Sequence, residues 1–233
     1  MNRPSTQISQ SNDPMYRTLE DYAYNTIREA ILHGELKPGE RILLKELEAT
    51  YRISRTPIRQ ALRRLSERGY VTLQPHSSMR VRPLSAEELN ELYALRKAIE
   101  PIAIAEGIKG ADDSVVALLD SLLGEMHVAT EREDRVSLIG LNSKFHRSMY
   151  EPSGMPHLLS MYDRLVGICE RYQWTQANAP ITELRGDRRH HEEIMDAYRR
   201  RDEERAIGLI QIHLEQAREA ILKHLGSRGA LAP

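Results

Sequence analysis

The chain has 233 residues, 40% hydrophobic and 29% charged, with a single cysteine and a net charge of −1. That length holds one large domain or two modest ones with a real core, and the lone Cys169 excludes an intrachain disulfide framework. No apolar run approaches a membrane span, and the polar opening MNRPSTQISQSNDP lacks the apolar centre of a secretion signal, so a reduced cytoplasm and no membrane partner are expected.

The charge is unevenly divided. Residues 15–84 carry 13 Lys+Arg against 8 Asp+Glu, whereas residues 85–233 carry 19 against 25. A basic first third joined to an acidic remainder points to two domains with different partners, and only the first suits a polyanion. The expected organisation is a tail over 1–14, a basic domain over 15–84, a helical domain over 85–226 and a short tail over 227–233. With one Trp and one Phe, the core must be mostly aliphatic.

In chain order, Leu19, Tyr22, Ala23, Ile27, Ala30 and Ile31 recur at helical spacing up to Gly34. KPGERI reads as a turn, and LLKELEATY as a short second helix with Leu44, Leu47 and Tyr51 on one side. Thr56-Pro57 reads as an N-cap and first helical residue. The helix it opens carries Ile58, Ala61, Leu62 and Leu65 as an apolar stripe and closes at Gly69. VTL and MRVRP look like two short strands around QPHSS. Helix, helix, helix and hairpin make a winged helix-turn-helix.

Everything after Ser85 reads as helix. SAEELNELYALRKAIEPIAIAEGI opens with a Ser85-x-x-Glu88 capping box, and amphipathic stretches follow near 112–130, 133–150, 155–174, 183–200 and 203–225. Six such helices imply an all-α bundle, so the whole chain is mainly α.

On the third helix Arg59 and Arg63 lie opposite the apolar stripe, and Arg55 precedes the cap. Basic groups thus gather at a helix start, where free N–H groups and the helix dipole already favour phosphate. A major groove admits such a helix, and Arg pairs bidentately with guanine. Lys45 could reach the DNA backbone from the preceding helix, and Arg80 and Arg82 a flanking groove from the wing. A basic helix can also be a plain solvated face; the short preceding helix, tight turn and hairpin favour double-stranded DNA.

The stretch PGERILLKELEATYRISRTPIRQALRRLSERGYV resembles the amino-terminal domain of the GntR family of bacterial transcription regulators, and Ser54-Arg55-Thr56-Pro57-x-Arg59-x-Ala61-Leu62 is similar to its recognition helix. The resemblance implies DNA contacts by Lys45, Arg55, Thr56 and Arg59. Where the family commonly has Gly at the wing tip, this chain has His76-Ser77-Ser78. The helical remainder resembles the FCD ligand-binding domain of the FadR subfamily.

Of the histidines, His146, His191 and His213 fall on apolar stripes of three different helices, and Asn142 precedes His146 by one helical turn. Each alone reads as a hydrogen-bonded core residue. Together they can converge on a transition metal, which imidazole suits. The resemblance implies the second reading: many FCD domains bind Zn, Ni or a similar ion with an Asp-x-x-x-His pair and two later His residues. Asn142-Ser-Lys-Phe-His146, His191 and His213 occupy those places, with neutral Asn142 where Asp is common. Such a site carries one more net positive charge and attracts an anion more strongly. Arg96 reads as a surface salt-bridge residue from spacing alone; the resemblance implies an effector-binding arginine, suited to a small carboxylate.

The expected protein is a homodimeric, effector-responsive transcription regulator, most simply a repressor, and not an enzyme. A metal-dependent hydrolase fused to a DNA-binding module is the alternative from another class, since catalytic zinc also has three protein ligands and an open position. Spacing places no carboxylate as its general base: Glu192 and Glu193 adjoin His191 in sequence but point to other faces. A DNA-binding protein with a solid helical core is the third reading. Cys169, within the apolar run LVGICERY, reads as an inert packed thiol.

Overall fold

The computed structural model describes residues 18–74, 78–175 and 181–227. The expected tail over 1–14, residues 228–233 of the second tail, and His76 and Ser77 of the wing tip lie outside them. The chain divides into two compact units, Met1–Arg82 and Pro83–Pro233, two residues before the boundary expected from charge and Ser85.

The first unit contains α1 (Leu19–Leu32), β1 (Arg41–Ile42), α2 (Leu44–Tyr51), α3 (Arg55–Glu67), β2 (Val71–Gln74) and β3 (Ser78–Val81). Thr18 caps α1 by accepting a hydrogen bond from the Asp21 amide at 3.0 Å, with Glu20 and Asp21 in the favourable first turn. The inner faces of α1 and α3 pack together through Ala23, Ile27, Ile58, Ala61, Leu62 and Leu65, all fully buried. The strands form an antiparallel sheet in the order β1-β3-β2.

Two local expectations need correction. KPGERI is not only a turn: its last two residues form β1, pairing Arg41 with Arg80 and Ile42 with Met79. Two residues carry no legible period, and their partner lies some forty positions away. Helix α3 starts at Arg55 behind Ser54, not at Pro57 behind Thr56. Pro57 is then the third helical residue, still within the first turn whose N–H groups have no intrahelical acceptor, so its missing donor costs nothing there.

The second unit is all helical among its described residues: α4 (Ala86–Gly110), α5 (Asp113–Glu131), α6 (Arg135–Tyr150), α7 (Pro156–Thr175), α8 (Ile181–Arg199) and α9 (Glu203–Ser227), with a 3-10 turn at Glu151–Ser153. Helix α4 packs against α6, α7 and α9, while α5 and α9 flank α8. Only half of the expected capping box forms. The Ser85 hydroxyl accepts from the Glu88 amide at 3.2 Å, but the Glu88 carboxylate turns to Arg171 and Tyr172, and the Ser85 amide donates to the Tyr172 hydroxyl.

The crossing of α4 and α6 depends on Gly107. A Cβ there would stand 2.2 Å from the Met149 carbonyl oxygen, an impossible contact for any side chain. The Tyr198 hydroxyl of α8 bridges the same place, 3.1 Å from the Gly107 oxygen and 3.0 Å from that of Met149. Three helices are thereby locked one turn from His146. Among the described residues no helix is long and apolar enough to cross a membrane.

Candidate metal centre and nucleic-acid interface

In the first unit, Lys45, Arg55, Thr56, Arg59 and Arg63 are all exposed. Arg55 is engaged by Glu48 of α2: Nη2 stands 2.9 Å from Oε2 and Nε 3.1 Å from Oε1. Arg63 lies 3.3 Å from Glu67 one turn on. Lys45 and Arg59 make no hydrogen bond or ion pair among the described residues. Arg64 turns the other way, holding Glu20 and Asp21 of α1 and lying 4.5 Å over the Tyr24 ring. The face opposite the core is therefore basic, and its ion pairs are solvent-exposed and exchangeable. On the sheet, Arg80 Nη1 donates to the Gly39 carbonyl at 3.0 Å.

In the second unit, α6 supplies Asn142 and His146, α8 supplies His191 and α9 supplies His213. The three imidazoles are 0–5% exposed, and each offers a ligand atom within 4.8 Å of the others. His146 Nε2 and His191 Nε2 are 3.2 Å apart, and His191 Nε2 is 2.7 Å from Asn142 Oδ1. The ring of His213 lies 4.9 Å from that of His146 and 4.7 Å from that of His191, centroid to centroid. Phe145 meets His146 and His191 edge-on.

The three imidazoles form a group that could hold a metal ion. Ligand atoms about 2.1 Å from one ion stand roughly 3.0 Å apart at octahedral right angles and roughly 3.4 Å apart in a tetrahedron. The His146–His191 separation falls in that span and the His191–Asn142 separation slightly below it, while the three imidazole ligand atoms together lie within the wider 4.8 Å. The N–H of a neutral imidazole can serve one of these contacts, the tautomer deciding which; a charge held among all of the groups needs a further proton or a cation. Protonation is disfavoured at His146, whose imidazole is held well below the usual histidine range by burial, then by His213, His191 and Arg96. Its Nδ1 is buried without a partner, so that ring's polar engagement is all on the Nε2 side. Asn142 would add a neutral oxygen to three neutral nitrogens.

Arg96 is not on the surface, where spacing alone placed it. It is 5% exposed, and its Nε lies 2.5 Å from Oε1 of fully buried Glu100. The other Glu100 oxygen accepts from the Tyr150 hydroxyl at 2.8 Å. Burial opposes the guanidinium charge, and Glu100, then Tyr93, Cys169 and Tyr162, outweigh it, so Arg96 stays charged. Burial pushes the Cys169 thiol up, leaving it protonated and unreactive. Sequence reasoning missed Glu100 as the partner of Arg96, with Tyr150 in turn holding Glu100, and Glu48 as the partner of Arg55. The first was legible as an i,i+4 pair on one helix.

Residues 19–81 match the family model of bacterial regulatory proteins, gntR family, and residues 91–216 that of the FCD domain. The chain is 30% identical over 175 residues to the HTH-type transcriptional regulator YdhC of Bacillus subtilis, an alignment covering 73% of this chain and 78% of that one. It is 31% identical to the Nta operon transcriptional regulator of Aminobacter aminovorans over 79% of this chain and 88% of the relative. The solved structure of McbR/YncC from E. coli matches 89% of this chain and 99% of its own, with a TM-score of 0.77 and 24% identity. At that identity the likeness is one of fold.

Proposed function

This chain belongs to the gntR family of bacterial regulatory proteins, as a DNA-binding transcription regulator with an FCD domain, and on that premise we propose that it is a metal-dependent sensor of a small carboxylate. In this reading residues 15–84 bind double-stranded operator DNA, and residues 85–226 bind the effector and pair two copies as a homodimer in the cytoplasm. Arg55, Thr56, Arg59 and Arg63 approach the major groove, and Lys45 the phosphate backbone. A two-fold symmetric operator follows from the symmetry of such a dimer.

The observation that carries the proposal is the convergence of His146, His191 and His213 with the Asn142 oxygen inside the bundle. Those residues would hold zinc or nickel, and the bound ion would supply open positions for a carboxylate. Arg96 supports the same ligand class as a buried guanidinium whose Nε pairs with Glu100. A carboxylate that binds the DNA-incompetent dimer more tightly releases the operator, which makes the protein a repressor in its simplest form.

Linkage gives the test. An acid that releases operator must itself bind less tightly when operator is present, by the same coupling, typically about 1–3 kcal/mol. Titration calorimetry of small mono-, di- and tricarboxylates, with and without an operator selected from random duplexes, measures both sides. Arg96→Met combined with Glu100→Gln, which leaves no buried charge without its partner, should lose the response to the acid and keep operator affinity. A normal response in that double variant would place the ligand elsewhere.

A further inference from the structure

Helix α2 ends at Arg52, whose backbone is left-handed with φ of 54°. In that region Cβ crowds the following carbonyl, so glycine adopts it freely and long side chains do so at a cost. The other positive-φ residues described in this unit, Gly34, Gly39 and Gly69, are all glycines. Two further non-glycine cases occur among the described residues, both in the helical unit. Arg201 uses its side chain there, donating to the carbonyls of Ile108 and Ala111 at 3.3 and 2.8 Å. Glu133 closes the turn between α5 and α6, where its amide donates to the Thr130 carbonyl.

The backbone of Arg52 caps α2, but its side chain has no such use among the described residues. It is exposed, and its side chain makes no hydrogen bond or ion pair among the described residues. Its neighbours are differently placed: Arg55 is held by Glu48, Arg63 by Glu67, and Arg64 by Glu20 and Asp21. Among the described residues Lys45 at the start of α2, Arg52 on the turn that joins α2 to α3, and Arg59 on α3, at seven-residue intervals, are exposed cations without ion-pair or hydrogen-bond partners. In a helix-turn-helix the first helix crosses the DNA backbone while the second enters the major groove. A guanidinium on the connecting turn therefore falls among phosphates, whose paired oxygens match its fork.

We propose that Arg52 is a phosphate contact of bound duplex DNA, retained in a conformation that glycine would occupy more stably. The proposal rests on the DNA-binding reading of α3, and it predicts changes of opposite sign in two measurements. Arg52→Gly relieves the backbone and removes the cation, so the full chain should melt at a higher temperature and bind DNA several-fold more weakly. Arg52→Lys keeps a point charge and should keep most of the affinity.

Fluorescence anisotropy with a random-sequence duplex across a salt series, alongside thermal melts, tests both. For Arg52→Gly the plot of log affinity against log salt should be shallower by about one, the loss of one phosphate contact. Wild-type affinity and slope in Arg52→Gly, with Arg59→Ala weakened, would overturn the role of Arg52 alone. A lower melting temperature in Arg52→Gly would assign the residue to the fold instead. Failure of the wild-type chain to bind any duplex would overturn the DNA-binding reading as well.

Discussion

Two arginine–glutamate pairs, one in each unit, use the same chemical groups at opposite depths. The Arg55 and Glu48 side chains are 50% and 27% exposed, those of Arg96 and Glu100 6% and 0%. Water and salt screen the first pair, so Glu48 can yield Arg55 to a DNA phosphate at little cost. Around the second there is no solvent to substitute for a lost partner, and Tyr150 fixes the carboxylate as well. The basic face is built for exchange between partners. The buried centre is built to hold geometry.

The contrast is sharpest when each carboxylate is neutralised. Glu100→Gln should destabilise the fold by about 3–5 kcal/mol in urea denaturation, the usual cost of leaving a buried charge without its partner. Adding Arg96→Met should recover most of that loss, because the orphaned charge goes with it. Glu48→Gln should leave the unfolding midpoint nearly unchanged and raise DNA affinity a few-fold at low salt, with the gain fading as salt rises. Equal destabilisation by the two Glu→Gln changes would erase the distinction between the pairs.

The smallest effect expected is on the acid limb. Arg218 and then Lys97 hold Glu215 down from the ordinary 4.5 to about 2. A depressed carboxylate contributes stability that is full above pH 4.5 and is lost as pH falls through about 2. Because this cluster is only half-buried, solvent screens the contribution. Glu215→Gln should slightly flatten the stability–pH curve within that window and leave neutral pH nearly untouched, as followed by denaturant midpoints. A change confined to neutral pH would mean Glu215 acts by packing.

The same difference in depth separates what the sequence made legible from what it did not. The stripe Ile58, Ala61, Leu62 and Leu65 and the arginines opposite it lie on one helix, so spacing alone sorted them into core and surface. The apolar stripes under His146, His191 and His213 were legible too, but their approach to a common point depends on how α6, α8 and α9 cross. Gly107, whose missing side chain permits the α4–α6 crossing, gave no such signal. Arg96 and Glu100, four apart, have the spacing of an ordinary surface pair; only the packing of α6 and α7 over α4 buries them. Strand β1 was missed because pairing across the chain, not local pattern, makes it a strand.

The central claim is that three buried imidazoles hold a metal ion. It is tested most directly by native mass spectrometry of the full chain purified without added metal, beside His146→Ala, His191→Ala and His213→Ala. The wild-type chain should carry a divalent ion that each variant loses. A chelator should lower the wild-type melting temperature and leave the variants unmoved, since an ion bound only to the folded state stabilises by mass action. Metal content in all three variants equal to wild type would make these histidines packed core residues and contradict the account.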